Sequence, residues 1–273
     1  MEPIKVSVIE MYDESEVIYD DFIAVLDQSL NPRPPDMLYD KFGSFNPGPE
    51  SLVLDLGCRR AEQACELSSR FGCTVVGVDL VTTNLQRAQW HITEQALTQS
   101  VQVIQGDIQQ LPLKTSMFDL IWCRDVLTHM SDLAQTFAES ARVLKPEGKM
   151  MVFHMLGTDL LTSEEAIQLC LPLASFPENM SRTYFEQAFT AAGFTQLEAD
   201  ELRSEWREYG EETDSKRTSK QLLRIARMRR NREQLIAQYG EKYYESELAN
   251  CHWGIYQMMG KLSPIVYTLA KRG

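Results

Sequence analysis

The stretch SLVLDLGCRRAEQACEL, residues 51–67, constrains the fold more than any other part of the chain. An apolar run (Leu52, Val53, Leu54) ends at Asp55, Gly57 follows, and helix-like periodicity begins at once. A buried strand, a tight turn and a helix in that order form the entrance to a doubly wound α/β domain. Turns of this kind commonly carry two more glycines where backbone passes close to a ligand. Here those places hold Arg59 and Ala61. Ala61 adds one methyl, whereas Arg59 puts a Cβ and a long side chain where a glycine has neither. The turn is expected to survive if Arg59 keeps a negative φ and leaves toward solvent, and to be blocked if it points inward.

From residue 51 onward, strand and helix signals alternate. LVLDLG, CTVVGVDL, VQVIQGDI, FDLIWCRD and MMVFHML read as buried strands, followed by TQLEADELR and a closing PIVYTLAK. Between the earlier strands lie helix patterns, one closed by Gly72, one opened by Thr82 or Thr83, one stopped by KPEGK, and one running from Ser181 to Gly193. Apolar strands alternating with amphipathic helices indicate a parallel sheet covered on both faces. The fold class is therefore α/β: a doubly wound, seven-stranded, mostly parallel sheet with N-terminal helices and a helical insertion before the last strand. The expected organisation is an appendage at 1–48, an α/β core at 49–203, an insertion at 204–261 and a final core strand at 262–273. A hairpin partner would return within a few residues. The long helical stretch before PIVYTLAK is instead expected to be a lid or a dimerisation surface.

A formal net charge of −12 argues against general affinity for nucleic acid, which rests on Lys and Arg. The six cysteines form no C-x-x-C pair and read as reduced, buried residues, with no metal site. No apolar run approaches the ~20 residues of a membrane span, and the N-terminus lacks a signal-peptide core. A cytoplasmic protein is expected.

The second strand ends at Asp79, where a carboxylate can accept both ribose hydroxyls of an adenosine group. That alone fits NAD and S-adenosylmethionine equally. Asp107 ends the third strand, placed to take an adenine amino group while Ile108 covers the ring. Together VLDLGC, VVGVDL, GDIQQLPL, FDLIWCRDVLTHMSD and ARVLKPEGKMMV resemble the class I S-adenosylmethionine-dependent methyltransferases. The resemblance is to their small-molecule branch, which includes ubiquinone, tocopherol and sarcosine methyltransferases. It is strong over residues 50–155 and looser beyond. It implies a Rossmann-like methyltransferase fold with S-adenosylmethionine as cofactor. It places Asp55 and Gly57 beside the methionine part, Asp79 at the ribose with Leu80 next to it, and Asp107 and Ile108 at adenine. Arg59 departs from the family's glycine, and turned outward its guanidinium is expected to meet the methionine carboxylate. Cys123 and Arg124 then lie near the methionine end, and Tyr12 closes over the cofactor from the N-terminal helix.

Methyl transfer from a sulfonium is an in-line displacement, so the protein mainly aligns the reactants and excludes water. A base is needed where the acceptor loses its proton late. His129 and His154 are the candidates, against the alternatives of a structural residue and a core histidine. Trp206, Tyr209, Tyr243, Tyr244, Trp253 and Tyr256 either wall an acceptor pocket or form the insertion's own core. The basic run 216–232 is either a solvated face or a grip on an anionic acceptor or carrier protein. The expected function is methyl transfer to a small-molecule acceptor, with a homodimer through the insertion. The rivals are an NAD-dependent oxidoreductase and a non-catalytic partner protein with a degenerate cofactor loop.

Overall fold

The computed structural model describes residues 4–9, 16–213 and 215–272. Its seven strands are β1 (Leu52–Leu56), β2 (Thr74–Asp79), β3 (Val101–Gln105), β4 (Phe118–Arg124), β5 (Leu144–Gly157), β6 (Phe194–Glu201) and β7 (Leu262–Lys271). They form one sheet in the order β3-β2-β1-β4-β5-β7-β6, with only β7 antiparallel to its neighbours. The expected fold class is the one found.

Alternation along the strands sends successive side chains to opposite faces. Val53, Val75, Leu120, Trp122 and Met151 belong to one buried cluster, and Leu54, Val76, Ile121, Cys123 and Val152 to the other. The first face is covered by α2 (Met37–Gly43), α3 (Glu62–Phe71) and α4 (Thr82–Glu94). The second is covered by α5 (Leu133–Val143) and α7 (Arg182–Ala191), whose Phe137, Phe185 and Phe189 meet edge to face. In front of the sheet, α1 (Glu16–Leu26) leaves Phe22, Val25 and Leu26 exposed, whereas α2 stacks Tyr39 on Trp122 at 5.0 Å.

Two local expectations change. Helix α4 has neither threonine as its N-cap: Val81 occupies that position without a side-chain cap. The Asp79 carboxylate upstream accepts from Val81 N at 2.9 Å and Asn84 Nδ2 at 3.2 Å, so a strand-end carboxylate starts the helix. KPEGK likewise does not separate helix from strand. It lies inside β5, as an excursion between the pairs Phe118–Leu144 and Leu120–Lys149.

Helices α8 (Glu205–Glu212), α9 (Arg217–Arg230), α10 (Arg232–Tyr239) and α11 (Glu241–Met258) follow β6, while α6 (Ser163–Cys170) follows β5. The aromatics of the insertion divide between roles. Tyr244 is buried, Trp253 and Tyr256 pack on Met155 and Leu262, Trp206 stacks on Phe153 at 4.6 Å, and Tyr243 is exposed. On the basic face of α9, Arg224 meets Glu247 of α11 at 3.3 Å. All six cysteines are buried free thiols, and no described helix is long and apolar enough to cross a membrane.

Candidate functional site

The strand order reverses between β1 and β4, so the carboxyl ends of β1, β2 and β4 open side by side. In open α/β sheets that crevice is where ligands bind. Gly57 and Cys58 both donate to Val78 O, at 2.8 and 3.0 Å, and this fastens the turn after β1 to the end of β2. Gly57, Arg59 and Ala61 all have positive φ, at 73°, 47° and 58°. The backbone therefore keeps three left-handed positions although two of them have lost glycine. The expectation that Arg59 holds a negative φ is corrected: Arg59 N donates to Asp79 Oδ2 at 2.9 Å, and that bond requires the left-handed turn. Its side chain is exposed, so the turn is not plugged from within. Mid-strand Gly77 serves the same turn, because a Cβ there would lie 2.7 Å from the Cys58 side chain.

A left-handed L-residue costs roughly 1–2 kcal/mol. Arg59→Gly is thus expected to raise stability by about 1 kcal/mol, seen as a higher urea midpoint at unchanged slope. S-adenosylhomocysteine affinity should hold, or fall by about 1.5–3 kcal/mol if the guanidinium contacts a carboxylate. A large gain in affinity would mean that Arg59 obstructs the site.

Asp55 is buried beneath this turn, and its Oδ2 has no hydrogen-bond partner. Burial, with the Asp79 charge adding to it and Arg124 opposing, pushes its carboxyl up to about 7. An orphaned carboxylate oxygen at a strand tip suits a cationic group such as the methionine ammonium of the expected cofactor. Asp79 is more committed than its expected role implies: Val81 N, Asn84 Nδ2 and Arg59 N take three of its acceptor positions. One lone pair on Oδ2 remains for a ribose hydroxyl. Leu80 is exposed beside it. Asp107 Oδ1 caps its own turn by accepting from Gln109 N at 2.8 Å, and Ile108 is buried in the apolar cluster. Cys123 is fully buried, and burial pushes its thiol well up. Arg124 lies over the Trp206 ring at 5.5 Å. Tyr12 lies outside the described residues.

The two histidines occupy different environments. His129 is exposed in the single 3-10 turn Leu127–His129 after β4, with Nδ1 2.9 Å from Ala174 O. A carbonyl only accepts, so Nδ1 carries the proton and Nε2 is left with a free lone pair. His154 does sit level with the β4 tip, where Arg124 pairs with Phe153, but it is fully buried and stacked on Phe185 at 4.0 Å, as a core histidine. Burial lowers it to about 4, so it is neutral at physiological pH. Its Nε2 donates to Asn179 O at 2.7 Å, and Asn179 Nδ2 donates to Leu127 O and Met130 O at 2.9 and 2.7 Å. The buried histidine thus braces the turn that carries the exposed one. Asp125, also at the β4 tip, has φ 58° and reaches solvent. Around its carboxyl stand the groups of Arg124, His129, Arg207 and Arg59. Among these, Arg207 is invisible to motif reading, because no spacing ties the insertion to the strand tips.

A methyltransferase-domain family model matches residues 54–152, from the middle of β1 into β5. The glycine/sarcosine/dimethylglycine N-methyltransferase of Actinopolyspora halophila is 26% identical over 160 residues, covering 59% of this chain and 28% of its own length. The chain thus spans under a third of that relative. A putative sarcosine dimethylglycine methyltransferase structure from Galdieria sulphuraria superposes with TM-score 0.68 at 18% identity, covering 87% of this chain and 84% of the other. The [4+2]-cyclase SpnF superposes equally well, with TM-score 0.68 at 20% identity, covering 87% and 81%. The likeness to those two structures is one of fold, and it spans two chemistries. Residues 54–152 thus match a methyltransferase domain, carried on a Rossmann-like seven-stranded sheet of order 3-2-1-4-5-7-6.

Proposed function

We propose that this protein transfers a methyl group from S-adenosylmethionine to a small-molecule acceptor bound between the strand tips and the helical insertion. The observation that carries the reading is the buried, unpartnered Asp55 Oδ2 under a turn with three left-handed residues. Asp55 holds the cofactor's ammonium, Asp79 and Leu80 its ribose, and Asp107 and Ile108 its adenine, with Gly57 and Arg59 lining the turn. Arg124, on the Trp206 ring, closes the methionine end beside the wall made by Cys123. The cofactor supplies an electrophilic methyl group. The chain aligns the acceptor with it and excludes water, and His129 Nε2 takes a proton from an acceptor that must lose one.

The insertion at 204–261 covers the acceptor side. Exposed Leu222, Leu223 and Tyr243 also give it an apolar surface for a homodimer. Six free thiols suit the reducing cytoplasm.

Calorimetry with S-adenosylhomocysteine tests the reading, with NADH in a parallel titration. Binding of the first and not the second is expected. Asp79→Ala should weaken S-adenosylhomocysteine by about 1–3 kcal/mol. A urea melt of the same variant separates lost contact from a loosened turn, since Asp79 also holds Arg59 N. Unchanged affinity would show that the ribose is held elsewhere. An acceptor screen with labelled cofactor, read by mass spectrometry, distinguishes methyl transfer from binding without turnover.

A further inference from the structure

Arg207 on α8 is a half-buried guanidinium whose hydrogen-bond partners among the described residues are neutral. Its Nε donates to Gln257 Oε1 at 2.8 Å and its Nη1 to Gln221 Oε1 at 3.2 Å. Both glutamines are buried, and their amide nitrogens are turned away, toward Arg203 O and Asn250 O. The two amide oxygens are thereby committed to the arginine. Gly254 on α11 makes the arrangement possible: a Cβ there would lie 2.0 Å from Gln221 Oε1 and 2.7 Å from Arg207 Nη1. Arg33, Arg142, Arg182 and Arg224 each reach a carboxylate within 4.0 Å, whereas no such ion pair forms at Arg207 among the described residues. Its Nη2 donates to no described residue.

Neutral amides satisfy the hydrogen bonds of a guanidinium without cancelling its charge. A desolvated cleft leaves that charge strongly attractive to an anion. Loss of water, with the nearby Arg217 charge, lowers Arg207 to about 10, and Asp125 and Glu211 pull the other way. Arg207 therefore stays cationic at neutral pH. Its neighbour Trp206 stacks on Phe153 of β5 and lies under Arg124 at the β4 tip. Arg207 and Asp125 feel each other's charge, so the guanidinium stands near the β4 tip that Asp125 follows.

We infer that Arg207, set by Gln221, Gln257 and Gly254, binds an oxyanion of the acceptor, a carboxylate or a phosphate. The inference rests on the methyl-transfer reading for its word "acceptor", but the anion site itself is tested independently. The probes are sodium acetate and sodium phosphate, each titrated against sodium chloride at matched ionic strength. The readout is the side-chain 15Nε–1H signal of Arg207 by NMR, assigned with Arg207→Lys. A saturable shift with one of the two probes and none with chloride is expected, and the tighter probe identifies the oxyanion. Gln257→Glu places a carboxylate against Arg207 with little change of shape. It should weaken the probe by about tenfold or more, as loss of a charged hydrogen bond does. No response beyond chloride, or an equal response in Gln257→Glu, overturns the proposal. Failure of the methyl-transfer reading shows separately, as absence of S-adenosylhomocysteine binding to the unaltered protein.

Discussion

Gly57→Ala is expected to destabilise the protein by about 2–5 kcal/mol, the largest loss from a single methyl anywhere in the site. Two terms add. Gly57 has φ 73°, where an L-residue is strained, and an added Cβ would lie 2.6 Å from Val126 Cγ2 and 2.8 Å from Val126 Cβ. Val126 follows the β4 tip, so the clash would drive the first turn away from the strand that carries Arg124 and Asp125. A urea melt measures the loss, and a cycle with Val126→Ala divides it. The second change removes the 2.6 Å contact and should recover part of the stability, while the cost of the left-handed backbone remains. A neutral Gly57→Ala would show that the turn is not held as described.

Asp55→Asn is expected to make the ligand-free protein more stable at alkaline pH while weakening cofactor binding. The native carboxyl keeps its proton up to about 7, above the ordinary 3.8 of an aspartate. Between those values the unfolded chain has released a proton that the native protein still holds, so wild-type stability falls as pH rises. Asparagine resembles the protonated form and escapes that loss. The variant should match wild type in acid and exceed it by on the order of 4 kcal/mol well above pH 7. Paired urea melts across pH read the difference. The same substitution removes the proposed anionic partner of the cofactor's ammonium and should cost about 1.5–3 kcal/mol of S-adenosylhomocysteine affinity. Cofactor binding near neutral pH should also release protons from Asp55, visible as a buffer-dependent calorimetric enthalpy. His154 carries the opposite sign. Its native value of about 4 lies below 6.5, so the stability it confers by remaining neutral is lost as pH falls. A variant more stable in acid but unchanged above pH 7 would reverse the assignment of Asp55.

The strand tips were readable in the chain because each is a local event. A buried apolar run ends, a carboxylate or glycine follows, and a helix begins, all within ten residues, as at Asp55–Gly57 and at Asp79. Period-two burial and period-3.6 helices report themselves over such windows, so all seven strands were legible. The N-cap of α4 was not legible, because the group that starts the helix, Asp79, sits outside it and serves the turn after β1 as well.

The sequence by itself determined the doubly wound sheet, its insertion before the last strand, and a row of strand-tip carboxylates. These follow from local periodicity and from which residues can end a strand. The tertiary structure alone decided three other matters. It kept Arg59 and Ala61 left-handed, because the turn's N–H groups donate to Val78 and Asp79, on a different strand, and this holds the turn. It put His154 in the core and left His129 at the surface, because depth depends on what packs over a strand, here Phe185 from a later helix. And it set Arg207 between Gln221 and Gln257, fourteen and fifty residues away, where only the glycine at 254 lets the helices approach. Contacts between distant segments have no sequence period, and their positions become definite only when the core closes.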